Sequence, residues 1–247
     1  DDLVVEAGTG TGKTMAYLIP ALLSGQRIVI STGTKTLQDQ LYHRDLPTVS
    51  KALGRPVKVR QLKGRANYLC MHRMELALND SASSESGLLS GQLQKLDQWS
   101  RRTRAGDIGE VKNIPEDSPV WRLVTSTLDN CLGSDCPLYE GCHLLNARQA
   151  ALSADIVVVN HHLLMADLVL KEEGFGELLP GCDAVIVDEA HKFPDVAQAF
   201  FNQSFSSGRL ADLCNDLRSE AVAAMLFDRR LDGSIDEVNN GIKDVRI

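Results

Sequence analysis

The 247-residue sequence predicts an α/β protein whose parallel sheet is covered by helices and interrupted by an insert. Three observations carry that prediction. Strand-sized apolar runs at 27–31, 57–62, 155–160 and 184–188 alternate with stretches of helical spacing at 35–43 and 161–171. An earlier apolar run, Leu3-Val4-Val5, leads through a glycine-rich stretch into another helical one at 12–24. The run from Ala184 to Val187 ends in Asp188-Glu189, at the carboxyl edge where an open parallel sheet places its ligands.

The first element in order is VVEAGTGTGKT, residues 4–14. The strict phosphate-loop pattern begins with glycine and Ala7 stands there instead; the rest of the pattern is met. Gly8, Gly10 and Gly12, alternating with Thr9 and Thr11, let successive N–H groups turn into one concavity that holds the phosphates of ATP. Lys13 supplies a cation for the β- and γ-phosphates, and the Thr14 hydroxyl is a ligand for Mg2+. Asp188 and Glu189 complete the site: Asp188 as the second magnesium partner, Glu189 as the group that orients or deprotonates the attacking water.

After the strand at 27–31 comes STGTKTLQDQL, in which Thr32, Thr34 and Lys35 lead into a helix and suit contact with nucleic-acid phosphates. Helix capping by Thr34 is the plainer alternative. Asn160, in NHH after the strand at 155–160, stands in the same relation to the next helix. Overall charge is −7, yet the stretch from Ser31 to Arg73 holds nine basic residues against two acidic ones. Within it Arg65, Asn67 and Tyr68 place an aromatic ring beside cations, which suits stacking on single-stranded DNA.

The pattern weakens between 79 and 119, where NDSASSESG is loop-like, LLSGQLQKLDQWS is one short helix and GEVKNIPEDSPVW is turn-rich. So small an apolar content predicts an insert that needs a staple. CLGSDCPLYEGC, residues 131–142, offers three thiolates in Cys131, Cys136 and Cys142. Disulfides fit poorly with a phosphate-loop protein of the reducing cytoplasm. Spacing alone leaves zinc and an iron–sulfur cluster both open. Cys182 and Cys214 read as ordinary buried cysteines, and His72 and His143 as bystanders. No run of 18 apolar residues predicts a membrane span. Beyond His191 the sequence reads as plain helix, broken at Ser206-Ser207-Gly208.

EAGTGTGKT, ISTGTKTLQDQL, VVVNHHLL and DEAH together resemble motifs of superfamily 2 helicases, and more narrowly the DinG-like branch of the XPD-type iron–sulfur helicases. LKGRANYLC and DNCLGSDCPLYEGC resemble its YoaA subgroup. The resemblance, which covers residues 2–210, implies a RecA-like phosphate-loop fold and an ATP-dependent 5′-to-3′ DNA helicase of the cytoplasm, acting on single-stranded or junction DNA in repair or replication. It supplies Cys70 as fourth ligand, with Cys131, Cys136 and Cys142, of a 4Fe–4S cluster, and adds His191 to the nucleotide site. It divides the chain into a first motor part (1–66), a cluster insert (67–143), a second motor part (144–194) and the start of a helical arch (195–247). No second motor sheet follows, so these residues by themselves are expected to hold the cluster and bind nucleotide without unwinding duplex. Two rivals stand beside this reading: a zinc-stapled DNA-binding module, and a phosphate-loop ATPase or nucleotide kinase unrelated to helicases.

Overall fold

The computed structural model describes residues 2–8, 10–81, 87–172, 178–201, 206–224, 226 and 228–245. In chain order its regular elements begin with α1 (Lys13–Ser24), β1 (Ile28–Thr32), α2 (Lys35–Gln40), α3 (Leu46–Ala52) and β2 (Val59–Gln61). The insert follows with α4 (Met71–Ser81), α5 (Gly87–Ser100) and α6 (Val120–Val124). The chain then returns through α7 (His143–Leu152), β3 (Ile156–Asn160), α8 (His161–Glu172), β4 (Ala184–Val187) and α9 (Phe193–Phe201), and closes with α10 (Ser207–Ala223) and α11 (Arg229–Val245). These elements form two compact units: Asp1–Gly64 with Leu144–Phe201, and Arg65–His143 with Asn202–Ile247.

The first unit is built on a four-stranded parallel sheet of order β2-β3-β1-β4. All five residues of β1 are buried, and so are the first four of β3, because helices cover both faces. Ile28, Ile30, Ile156 and Val158 pack with Leu18 and Leu22 of α1 and with Leu46 and Val49 of α3. Val29, Val157 and Val159 point the other way, onto Ala151 of α7 and Leu163 and Leu164 of α8. The helix begun at Lys35 passes through a π-turn at Leu41–Asp45 and continues to Ala52, further than the predicted 35–43. It is pinned by Gln38, fully buried, whose Nε2 donates to the carbonyls of Leu62 and Val158, both at 2.9 Å.

The predicted strand at Leu3-Val4-Val5 is not formed. An apolar run becomes a strand only where a neighbour completes its ladder, and residues 3–5 pair with no strand among the described residues; their side chains are exposed. The edge of β4 away from β1 likewise carries no partner strand in the described sheet, and Val185 and Val187 of β4 remain exposed.

The second unit corrects a second expectation. The insert has a core of its own: Leu69, Met74 and Ala77 meet Leu93 and Leu96 of α5, together with Ile114, Val120, Trp121 and Val124. These residues come from short helices separated by turns, so no long periodic run marks them in the sequence. The core stops at Ser126, and from Thr127 to His143 no residue is buried. Elsewhere in this unit Ser206 caps α10, its Oγ accepting from the Arg209 N–H, and Arg218 Nη2 joins α10 to α11 through Asp232 (2.6 Å) and Asp236 (2.9 Å).

Candidate nucleotide site and cysteine cluster

Gly10 and Gly12 take φ values of 81° and 85°, a region closed to most other residues, and Gly12 caps α1 with no side-chain hydrogen bond. The first backbone bond of the helix runs from the Ala16 N–H to the Gly12 carbonyl, so the N–H groups ahead of it remain available to an anion at the positive end of the helix. Thr11 Oγ1 closes the loop by donating to the Gly8 carbonyl at 2.8 Å. Ala7 is half-buried, Gly8 exposed, and Thr9 lies outside the described residues. This arrangement fits a nucleotide triphosphate: a glycine nest, an uncapped helix N-terminus and a lysine at its first turn.

The acidic element comes to the same place. The Asp188 N–H donates to the Ser31 carbonyl at 2.8 Å, which carries the end of β4 along β1. Lys13 Nζ lies 3.6 Å from Glu189 Oε1, and Glu189 Oε2 lies 3.4 Å from His191 Nε2. Glu189 has φ 55°, the only non-glycine residue with positive φ among those described. Such backbone costs about 1–2 kcal/mol and persists where the surroundings dictate it.

Two residues beyond the predicted site residues join this site. Tyr17 Oη donates to Asp188 Oδ2 at 3.3 Å; burial first, and then the Asp188 charge, push its phenol far above the usual tyrosine range, so it stays a donor. It lies one helical turn after Thr14, a spacing that shares a face. His161 is fully buried at the start of α8, shares a 2.7 Å hydrogen bond with Ser31 Oγ and meets the Phe193 ring edge-on. Burial lowers its pKa, opposed by the nearby backbones of Glu189 and Asp188, and its Nε2 is buried without a hydrogen-bond partner among the described residues.

The nucleic-acid residues fare unevenly. Thr32 is a correction: its side chain is fully buried, its hydroxyl faces no solvent, and it cannot reach a phosphate in this arrangement. Tyr68 is a second: at 5% exposure, with its backbone bridged to Asp107, it offers no free face for stacking. Thr34 Oγ1 accepts from the Leu37 N–H (3.2 Å) and Asn160 Oδ1 from the Leu163 N–H (2.9 Å), so both cap helices. Lys35 is exposed and Arg65 half-buried. The basic stretch loses one member, since Lys63 is buried against Asp39 at 2.9 Å. A shallow cleft lined by Tyr42, His43, Pro47, Lys58 and Arg60 sits at the start of β2, the opposite sheet edge from the phosphate loop.

In the second unit the four half-buried thiols of Cys70, Cys131, Cys136 and Cys142 share one neighbourhood. Burial raises the Cys70 pKa, the Arg73 backbone N–H opposes that by hydrogen bonding to the thiol, and Cys136, Cys142 and Cys131 each add repulsion. Among the described residues no three His, Cys, Asp or Glu side chains converge tightly enough for a single metal ion. Cys214 is buried as expected, whereas Cys182 is exposed, a further correction. His143 packs its ring over Gly106, where a Cβ would collide with it. Among the described residues no helix is long and apolar enough to cross a membrane.

Residues 1–75 match the DEAD/DEAH box helicase family. Over 245 residues, 99% of its length, the chain is 51% identical to the ATP-dependent DNA helicase YoaA of Escherichia coli and 46% identical to that of Haemophilus influenzae. It is 37% identical over 216 residues to the ATP-dependent helicase DinG of Mycobacterium tuberculosis, a match covering 79% of this chain and 32% of that protein. The chain spans about 38% of the length of the two YoaA relatives.

Proposed function

The chain belongs to the DEAD/DEAH box helicases, and from that premise we propose that it forms the ATP-binding part of a DNA helicase carrying a 4Fe–4S cluster. The observation that carries the motor reading is the meeting of Lys13 with Glu189, and of Tyr17 with Asp188, across more than 170 residues of sequence. Lys13 and the free N–H groups of α1 hold the β- and γ-phosphates; Thr14 and Asp188 flank the magnesium position; Glu189 orients the attacking water. Bound Mg2+ neutralises charge that develops on the transferring phosphoryl group. Lys13 Nζ lies 3.6 Å from Glu189 Oε1, so a phosphate held in the glycine nest competes with Glu189 for the ammonium and leaves the carboxylate to water.

The cysteine reading rests on the shared neighbourhood of Cys70, Cys131, Cys136 and Cys142 and on the resemblance of their two segments to the iron–sulfur helicases. Four thiolates suit a four-iron cluster as they suit zinc, and the resemblance favours the cluster. The division at 67–143 for the cluster insert and at 195–247 for the arch, polarity 5′ to 3′, action on single-stranded or junction DNA in repair or replication, and a cytoplasmic location belong to the same proposal. Lys35, which is exposed, and Arg65, which is half-buried, are the cations assigned to DNA phosphates; Thr34 and Asn160 act there through the helix N-termini they cap.

Lys13→Ala tests the motor. In the whole protein it lowers ATP turnover by at least 100-fold, and in this chain it removes Mg-nucleotide binding measured by calorimetry; turnover within a few-fold of the parent would refute the role. Iron and zinc content after anaerobic purification decides between cluster and zinc module.

A further inference from the structure

Helix α10 carries Arg209, Asp216 and Glu220, spaced seven and four residues apart and hence on one face. That face grips both segments that bear the cysteines. Arg209 Nη2 donates to Asp129 Oδ2 at 2.9 Å, and Glu220 Oε1 meets His72 Nε2 at 3.2 Å. Between them Asp216 divides its two oxygens: Oδ1 takes the Arg73 guanidinium and Oδ2 takes the Asn130 amide at 3.1 Å. His72 and Arg73 directly follow the Cys70 region, while Asp129 and Asn130 directly precede Cys131.

These contacts are unequal. The Arg209 and Asp129 side chains are both mostly exposed, where an ion pair contributes little. The Arg73 and Asp216 side chains are only 12% and 17% exposed, so loss of the carboxylate leaves a sheltered guanidinium without its partner. Arg73 also stands three residues after Cys70, and its backbone N–H favours the Cys70 thiolate, so the residue that Asp216 holds is a close neighbour of a cysteine. On the other side, the stretch 127–143 has no buried residue that would place Cys131.

We propose that Asp216 is a positioning residue for the four-cysteine site, holding the Cys70 and Cys131 segments in the relative placement that metal binding needs. Docking of α10 and occupancy of the site then stabilise each other, because coupling between two equilibria is reciprocal. This rests on the cluster reading given above. The arrangement is absent from local sequence because its hub lies 86 residues from Asn130 and 143 from Arg73.

The test uses the full chain, purified anaerobically, in three forms: parent, Asp216→Asn and Cys136→Ser. Asp216→Asn keeps the side-chain volume, and Cys136 is not one of the groups that Asp216 bonds, which are Arg73 and Asn130, so each change is made in one half of the coupling. Asp216→Asn is expected to load iron but lose it to a ferrous chelator at least fivefold faster than the parent. Cys136→Ser is expected to raise amide hydrogen exchange at 207–223 at least tenfold while the amides of β1 and β3 stay protected. If Asp216→Asn does not fold, Asn130→Ala removes one side of the hub and is expected to speed iron loss at least twofold. Equal rates of iron loss from loaded parent and hub variants, or unchanged exchange of α10 in Cys136→Ser, overturn the proposal alone. A parent chain that holds no iron overturns the cluster reading and the proposal together.

Discussion

Residues 69–124 and residues 127–143 are neighbours in sequence and belong to the same unit, yet they are held in place by different physics. The first stretch buries Leu69, Met74, Leu96, Val120 and Val124 almost completely, and removing such side chains from water is the main favourable term in folding. The second stretch carries Leu128, Leu132, Leu138 and Tyr139 as well, but three of them are exposed and Leu138 is only half-buried. Its order comes from short turns, among them Tyr139 N–H to Cys136 carbonyl and Cys142 N–H to Tyr139 carbonyl, and from polar contacts such as Asn130 with Asp216. A stretch that buries nothing apolar cannot offset its own chain entropy, and three of its residues are cysteines. The difference teaches which part of the insert would depend on the proposed cluster: the turn-rich arm rather than the insert as a whole.

That contrast can be broken by substitution. Leu96→Ala, which opens a cavity in a fully buried position, should destabilise the second unit by about 2–5 kcal/mol, measured by chemical denaturation followed through Trp99 and Trp121. The loss should be the same with and without iron; a loss that disappears in iron-free protein would mean that the core depends on the cluster. Cys131→Ser should act more locally. Iron content falls and protease cuts appear within 127–142, while the tryptophan fluorescence and the unfolding midpoint of the core shift little. Collapse of the core in that variant would erase the distinction between the two stretches.

The smallest effect concerns a third kind of hold, by charge, in the sheet unit. Asp39 accepts from Gln61 (2.6 Å) and pairs with Lys63 (2.9 Å). Burial pushes its pKa up, but the bonds to Lys63 and Gln61 outweigh that and keep it below the ordinary 3.8. A carboxyl depressed in the folded state adds stability that is complete above its unfolded pKa and is lost as pH falls through the folded one. Asp39→Asn should therefore lower stability at pH 7 by a small amount and flatten the acid side below about pH 4 by that same amount, the effect being small because Asp39 is 43% exposed. An acid limb unaltered by the substitution would remove Asp39 from the account.

Much of the sheet was legible in the sequence. The runs around Ile28–Thr32, Ile156–Asn160 and Ala184–Val187 were predicted within a residue or two, because buried parallel strands are apolar on both faces. The phosphate loop was legible for a different reason: phosphate binding by backbone N–H groups demands glycine at set spacings, so chemistry writes itself into local sequence. Leu3-Val4-Val5 was misread because strand propensity does not create a partner. Thr32 and Tyr68 were misread because the sequence reports residue type but not exposure; Thr32 ends a strand buried on both sides, and Tyr68 is buried where its backbone bridges to Asp107, 39 residues on.

What the sequence determined by itself was therefore whatever is enforced within a few residues of chain: the parallel strands, the glycine nest ahead of Lys13, the acidic pair after β4 and a cysteine-rich arm. Tertiary structure alone decided which distant groups meet. Tyr17 reaches Asp188, His161 fits beneath the acidic loop beside Ser31, and Asp216 joins Arg73 to Asn130. Each is a single polar contact between elements far apart in the chain. No periodicity or composition records such a pairing, because its geometry exists only after the apolar faces have packed and brought the two elements together.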